Sequence, residues 1–201
     1  MERGKLLVIS GPSGVGKSTA IGAVRSRHPE MFFSISATTR PRRAGDEDGV
    51  TYWFKTREEF EQMVADGAFY EHAEYAGNCY GTPKAPVEER LSRGIDVIMD
   101  IDVQGALQIQ ERCEDAVLIF LVAPSYAQLE RRLRGRGDTS EADMERRLSK
   151  VRWEYSQAPQ YDYIVISDTL ERTVNDIECI LTAEKLRAGR KMKLLQMEES
   201  L

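Results

Sequence analysis

Gly11-Pro12-Ser13-Gly14-Val15-Gly16-Lys17-Ser18 follows directly on the apolar run Leu6 to Ile9 and leads into Thr19-Ala20-Ile21-Gly22-Ala23-Val24, residues compatible with a helix. The stretch fills every position of G-x-x-x-x-G-K-[ST]. Glycines let such a backbone curl until successive N–H groups face one point, and a helix N-terminus behind them adds the positive end of its dipole. The phosphate chain of a nucleoside triphosphate fits this arrangement. Lys17 would reach its β- and γ-phosphates, and the Ser18 hydroxyl would hold Mg2+. A glycine-rich turn without a ligand needs neither the lysine nor the hydroxyl, so Gly11 to Thr19 is the candidate triphosphate loop.

Working outward, apolar runs recur at Phe32 to Ile35, Ile95 to Met99, Ala116 to Val122 and Tyr161 to Ile166. Helical patterns at Lys17 to Arg27, Gln104 to Arg112, Ser125 to Arg134 and Leu170 to about Leu195 separate most of them. That alternation predicts an α/β fold, a parallel sheet flanked by helices on both faces. Two stretches break it. Thr51 to Phe54 reads as a strand, Arg57 to Ala65 as a helix, and Phe69 to Tyr75 with Asn78 to Thr82 as strands joined by a turn at Gly77, together a small mixed insertion. From Arg134 to Pro159 a charged, glycine-containing segment precedes a polar helix whose apolar stripe is only Met144, Leu148, Val151 and Tyr155. So narrow a stripe predicts a weakly anchored, mobile element.

The 201 residues, 41% of them hydrophobic, suit one α/β domain with small insertions. A net charge of -5 lacks the basic surplus of a nucleic-acid binder, so nucleic acid is not expected as a partner. Cys79, Cys113 and Cys179 are odd in number and far apart, which indicates neither a disulfide framework nor a zinc site. Met1 to Lys5 carries no signal-peptide core, and no apolar stretch approaches the roughly 18 residues of a membrane span. A cytoplasmic protein without membrane contacts is the expectation. His28 and His72 stand in no catalytic or metal-binding pattern and read as structural or exposed.

Four further segments stand out: Ser36-Ala37-Thr38-Thr39-Arg40-Pro41-Arg42-Arg43-Ala44-Gly45 with Gly49-Val50-Thr51-Tyr52; Tyr75-Ala76-Gly77-Asn78-Cys79-Tyr80-Gly81-Thr82; Asp100-Ile101-Asp102-Val103-Gln104-Gly105; and the arginine-rich Arg136 to Arg147, running on to Ile166-Ser167-Asp168. With the phosphate loop they resemble the guanylate kinase family. The phosphate loop is common to many NTPases, whereas T-T-R-x-x-R-x-G and G-N-x-Y-G are specific to this family and its non-catalytic relatives. The resemblance covers almost the whole chain. It implies transfer of the γ-phosphoryl of ATP to GMP, and to dGMP as a second acceptor, with Mg2+, in purine nucleotide metabolism. It also implies a core of residues 1–35, 95–133 and 160–201, a GMP-binding domain at 36–94 and a helical lid at 134–159.

Residue by residue, the resemblance places the GMP phosphate on Arg40, Arg43, Tyr52, Tyr80 and Ser36, forked guanidinium and hydroxyl donors suited to an anion. Glu71 and Asp102 match the acceptors for guanine N1–H and the N2 amine, and Thr82 can donate to O6. Asp100 falls to the Mg2+ shell through water, beside Ser18. Arg136 and Arg147 match lid arginines that, with Lys17 and Arg43, stabilise the transferring group. Ser167 and Asp168 stand where the family contacts the ATP base with Asn-Asp. Asp46 stands where the family has Glu, and the shorter side chain predicts a weaker contact. Arg131, Arg132, Arg134, Arg146 and Arg152 fall off the motif and read as mostly solvated.

Two rivals remain at this point. Non-catalytic interaction modules of the same fold carry degraded phosphate loops and lid arginines, whereas Lys17, Ser18, Arg136 and Arg147 are all present. Another small P-loop kinase, acting on a sugar phosphate, would not need Glu71, Thr82 or the Gly77 to Gly81 segment.

Overall fold

The structure is a computed structural model that describes residues 2–75, 77–134 and 141–192. Leu6–Ser10 (β1) is buried at every position, as the middle strand of a sheet covered on both faces must be. Its alternate side chains separate into two cores: Leu7 and Ile9 enter one with residues of Lys17–Arg27 (α1) and Leu170–Lys185 (α7), and Leu6 and Val8 enter the other with residues of Lys84–Ser92 (α3) and Val103–Arg112 (α4). The strands Phe32–Ser34 (β2), Val97–Asp100 (β7), Ala116–Val122 (β8) and Tyr163–Ile166 (β9) complete a five-stranded sheet of order β2-β7-β1-β8-β9, parallel throughout. All five strands are those read from the apolar runs.

A second sheet of order β4-β3-β6-β5 joins Ala37–Thr38 (β3), Trp53–Phe54 (β4), Phe69–Tyr75 (β5) and Asn78–Pro83 (β6). β3 lies parallel to β4 and antiparallel to β6, and β5 and β6 form the antiparallel pair around Gly77. The sheet has its own small core of Ala37, Phe60, Phe69 and Cys79, in which the Phe60 and Phe69 rings stack with centroids 4.5 Å apart. Phe60 comes from Arg57–Ala65 (α2), whose start is fixed by a capping box between Thr56 and Glu59.

Several elements differ from the sequence expectation, among them the two-residue β3, which no apolar run marked. Helix α3 follows Pro83 and carries Pro86 in its first turn, where a missing N–H costs no internal bond; the two prolines masked a helix that Val87 and Leu91 anchor. α7 ends at Lys185 with Leu186 as its cap, and helix resumes only at residues 188–192. There Arg190 and Lys191 pair with Glu2 at 2.8 and 2.9 Å. Glu141–Ser156 (α6) is better anchored than its polarity suggests: Met144 and Val151 are buried in the larger core, with Leu148 and Tyr155 packed against it. A narrow stripe is enough when each of its members meets apolar surface. Among the described residues no helix is long and apolar enough to cross a membrane.

Because the small sheet has so few core residues, Phe60→Ala should destabilise it by about 3–5 kcal/mol. Amide exchange should then accelerate in β3 to β6 well before β1, β7 and β8; equal acceleration in both sheets would show that they unfold as one unit.

Candidate active site

β1 delivers the loop, and β8 sets its first bend. Gly11 has φ 151, and a Cβ there would lie 2.5 Å from the Leu121 carbonyl oxygen, so only glycine lets the chain turn against this strand. α1 then starts at Lys17 from Gly16, whose left-handed backbone (φ 102) places no side-chain cap on the first turn. No side chain takes up the N–H groups of this first turn, which leaves them to an anion. Tyr126–Arg134 (α5) braces the loop from the side. Leu129 and Leu133 pack at Gly14, and the Arg132 guanidinium donates to the Val15 carbonyl at 3.2 Å. Arg132 is thus a loop-bracing residue, contrary to the solvated reading. Arg134 and Arg146, by contrast, make exposed ion pairs with Glu130 and Glu141 and with Asp143.

The end of β7 lies beside β1, where Ile9 pairs with Asp100. Lys17 Nζ meets Asp100 Oδ1 at 2.7 Å and donates to the Ile101 carbonyl at 2.9 Å, while Ser18 Oγ donates to Asp100 Oδ2 at 3.4 Å. One carboxylate therefore bridges the two chemical residues of the loop. Two residues on, Asp102 caps α4 by accepting from the Gly105 N–H at 2.9 Å. Ser167 follows β9 and reaches the loop, its Oγ 3.2 Å from where a Cβ on Gly16 would sit; Asp168 beside it is exposed.

In the small sheet, Thr38 Oγ1 donates to the Cys79 carbonyl at 2.9 Å and Thr39 Oγ1 accepts from the Cys79 N–H at 2.8 Å, fixing the start of the arginine loop on β6. Thr38 Oγ1 also accepts from the Arg40 N–H at 3.1 Å. The Arg40 guanidinium pairs with Asp46 at 2.8 Å and lies 5.3 Å from the Tyr52 ring centroid, and the Tyr52 and Tyr80 rings meet edge to face at 6.2 Å. Asp46 also accepts from the Arg43 N–H at 2.7 Å. These two bonds, Arg43 first and Arg40 next, hold its carboxyl below the usual range. The expected weak contact is therefore a firm one, since the shorter carboxylate meets the loop backbone directly. Ser36 is placed by its carbonyl, which accepts from the Trp53 N–H at 2.9 Å.

Glu71 is 6% exposed, and Thr82 Oγ1 donates to its Oε1 at 2.7 Å. Burial raises its pKa to about 7, and the nearby Asp102 charge pushes the same way. Glu71, Thr82 and Asp102 are therefore brought together in space. Of the two arginines expected in a lid, Arg147 sits exposed on α6, and Arg136 lies outside the described residues. A further acid went unread in the sequence. Glu154 on α6 is 4% exposed, and burial raises its pKa to about 7 in a setting that also feels Lys150, Asp102 and Lys17. Its Oε2 has no hydrogen-bond partner among the described residues. The available signal was its place between Val151 and Tyr155 on the apolar stripe.

Comparison with known proteins gives one answer. The guanylate kinase family model matches residues 3–184. Guanylate kinase of Thermus thermophilus is 50% identical over 195 residues, spanning 97% of this chain and 88% of its own. That of a Synechococcus species is 48% identical over 179 residues, spanning 89% and 82%. The crystal structure of guanylate kinase from Anaplasma phagocytophilum matches with a TM-score of 0.76 at 33% identity, covering 96% of this chain and 94% of that one. With a phosphate loop on a parallel sheet, a small mixed sheet beside it and relatives that match nearly end to end, this chain belongs to the guanylate kinase family.

Proposed function

We infer that the chain catalyses ATP-dependent phosphorylation of GMP, yielding ADP and GDP. The observation that carries this is the strand end Asp100-Ile101-Asp102, which touches both halves of the site. Asp100 and Ile101 hold Lys17 of the phosphate loop, while the Asp102 charge acts on the buried Glu71. An interaction module has no use for an intact Lys17–Ser18 pair, and a sugar-phosphate kinase has none for a buried carboxylate aimed at a base edge.

In the proposed reaction a phosphate oxygen of GMP attacks the γ-phosphorus in line. The bond to the β–γ bridging oxygen breaks, and ADP leaves with that electron pair. Gly11 to Thr19 holds the donor phosphates, with Ser167 and Asp168 toward its base. Lys17 exchanges Asp100 and Ile101 for the β- and γ-oxygens. Ser36, Arg40, Arg43, Tyr52 and Tyr80 hold the acceptor phosphate, and Arg43, Arg136 and Arg147 add positive charge where the transition state spreads negative charge. Glu71, Thr82 and Asp102 read guanine; adenine would leave them unpaired, which is a strong basis for rejection. The same proposal extends to dGMP as a second acceptor, as the family resemblance implies. The Ser18 hydroxyl and Asp100 carboxylate are hard oxygen donors at fitting separation for Mg2+, directly or through water. When bound, the ion would neutralise charge between the β- and γ-phosphates. The separate core of the small sheet supports a division into a GMP-binding part at 36–94, a lid at 134–159 and the remaining core. A cytoplasmic setting belongs to the same proposal.

A coupled assay of ADP release with GMP, dGMP, AMP, UMP and ribose phosphates tests the acceptor, GMP being expected to win by orders of magnitude; a flat profile would overturn it. Lys17→Ala should fold yet lose nearly all transfer, and near-normal turnover at saturating ATP would refute the loop's role. Arg147→Met should lower kcat by about 100-fold with little change in either dissociation constant, as expected of a group that acts mainly in the transition state. A preserved kcat with weakened binding would make Arg147 a docking residue instead.

The raised Glu71 pKa gives a pH signature. GMP needs the ionised carboxylate, so its KM should rise by up to about tenfold per pH unit below about 7, and Glu71→Gln should remove that component. Without GMP the sign reverses. A carboxyl whose folded pKa lies above its unfolded value adds stability at low pH that is lost as pH rises through about 7. Glu71→Gln should therefore raise the melting temperature more at about pH 8 than at about pH 5.

A further inference from the structure

β5 is irregular where Glu71 sits. Between the pairs Phe69↔Pro83 and His72↔Gly81 it advances three residues while β6 advances two, so one residue of β5 is extra. Such a bulge re-aims a side chain. β5 is also the edge of its sheet, with backbone groups on the side away from β6, and α4 supplies partners along that edge. Gln108 Oε1 accepts from the His72 N–H at 3.3 Å, and its Nε2 donates to the His72 carbonyl at 3.1 Å. A carboxamide is the side-chain counterpart of a peptide group, so Gln108 serves His72 as a neighbouring strand would. One turn further along, Arg112 donates to the Tyr70 carbonyl at 3.1 Å. The residues on either side of Glu71 are thus both held by one helix.

The same helix shapes the space around the carboxylate. A Cβ on Gly105 would lie 2.9 Å from Glu71 Oε2, 3.1 Å from Cδ and 3.2 Å from Cγ, so the carboxylate rests against bare helix backbone. The other oxygen is fixed by Thr82. Gly105, Gln108 and Arg112 are spaced by three and four residues and share one face of α4, with Asp102 capping its start.

We propose that α4 is the template that aims Glu71, and that Gln108 is a positioning residue for guanine selection, holding the β5 bulge in the shape that presents the carboxylate to the base. The proposal rests on the reading of Glu71 as the guanine acceptor. A side chain that only stabilised the sheet would act on the melting temperature. One that aims Glu71 acts on the base and only through Glu71.

The test compares the wild type, Gln108→Ala, Glu71→Gln and the double variant, using GMP and inosine monophosphate, which lacks the N2 amine. Gln108→Ala should raise the GMP KM about tenfold and reduce the preference for GMP over inosine monophosphate, with kcat and the ATP KM within about twofold of wild type. In the Glu71→Gln background the same change should add less than about twofold, because both act through one group. An unchanged GMP KM in Gln108→Ala, or a full tenfold increase on top of Glu71→Gln, overturns the proposal. If Glu71→Gln alone leaves the GMP KM unaltered, the base reading itself fails, and the proposal with it. Should Gln108→Ala not fold, Gln108→Glu keeps the acceptor for His72 N–H but cannot donate to its carbonyl, and the same shifts and reversals apply.

Discussion

A curled backbone gives up the regular pairing of its N–H groups, and the Gly11 to Ser18 segment is held in that shape by its surroundings as well as by the Val15 N–H bond to the Pro12 carbonyl. β8 presses its Leu121 carbonyl against Gly11, α5 fills the side with Leu129 and Leu133, and Arg132 takes up the Val15 carbonyl. The order of the main sheet follows from the same demand. β1 must be central so that β7 can bring Asp100 to Lys17 from one side while β8 supports the loop from the other. Strands buried on both faces in this way have to be apolar throughout, which is what Leu6 to Ile9 and Ala116 to Val122 are.

That necessity also explains what could be read without coordinates. Apolar runs marked all five strands of the parallel sheet, and the phosphate loop is contiguous, so its pattern is visible in one line of sequence. α3 was not read because Pro83 and Pro86 stand at its cap and first turn and its apolar stripe is only Val87 and Leu91. β3 is two residues long and exists only through its neighbours. The burial of α6 depended on what its four apolar residues would meet, which no periodicity records. The contacts of Arg132 and Gln108 share one cause of invisibility. Each side chain meets the backbone of a segment distant in the chain, and a single Arg or Gln on a helix looks the same whether it faces water or a backbone carbonyl. Glu71, Thr82 and Asp102 could be named from the family resemblance; that they converge on one point is a result of the fold.

The two halves of the site use electrostatics in opposite ways. Around the phosphate loop and the arginine loop, charges are paired and partly wet: Lys17 with Asp100 and Arg40 with Asp46. Glu71 is instead nearly dry, and burial holds its proton on to about neutral pH. Desolvation is unfavourable for the carboxylate until a ligand brings donors to it, and that is a source of discrimination. On the reading of Glu71 as the guanine acceptor, a base that supplies two N–H groups would relieve the penalty, whereas one that supplies none would leave it standing.

The pairing of Lys17 with Asp100 has a consequence for which anions can enter. The lysine's charge is already matched at 2.7 Å, so a bare anion must draw Lys17 away and leave Asp100 uncompensated beside it. On the proposed reading of the site, an anion arriving with a divalent cation would exchange partners in both directions at once, its phosphates meeting the lysine and its cation the aspartate. Charge neutrality would be kept through such a swap. The strand end would then act as a filter on ion pairs rather than on anions, favouring a metal-bound triphosphate over the free phosphate and carboxylate ions that surround it in any solution.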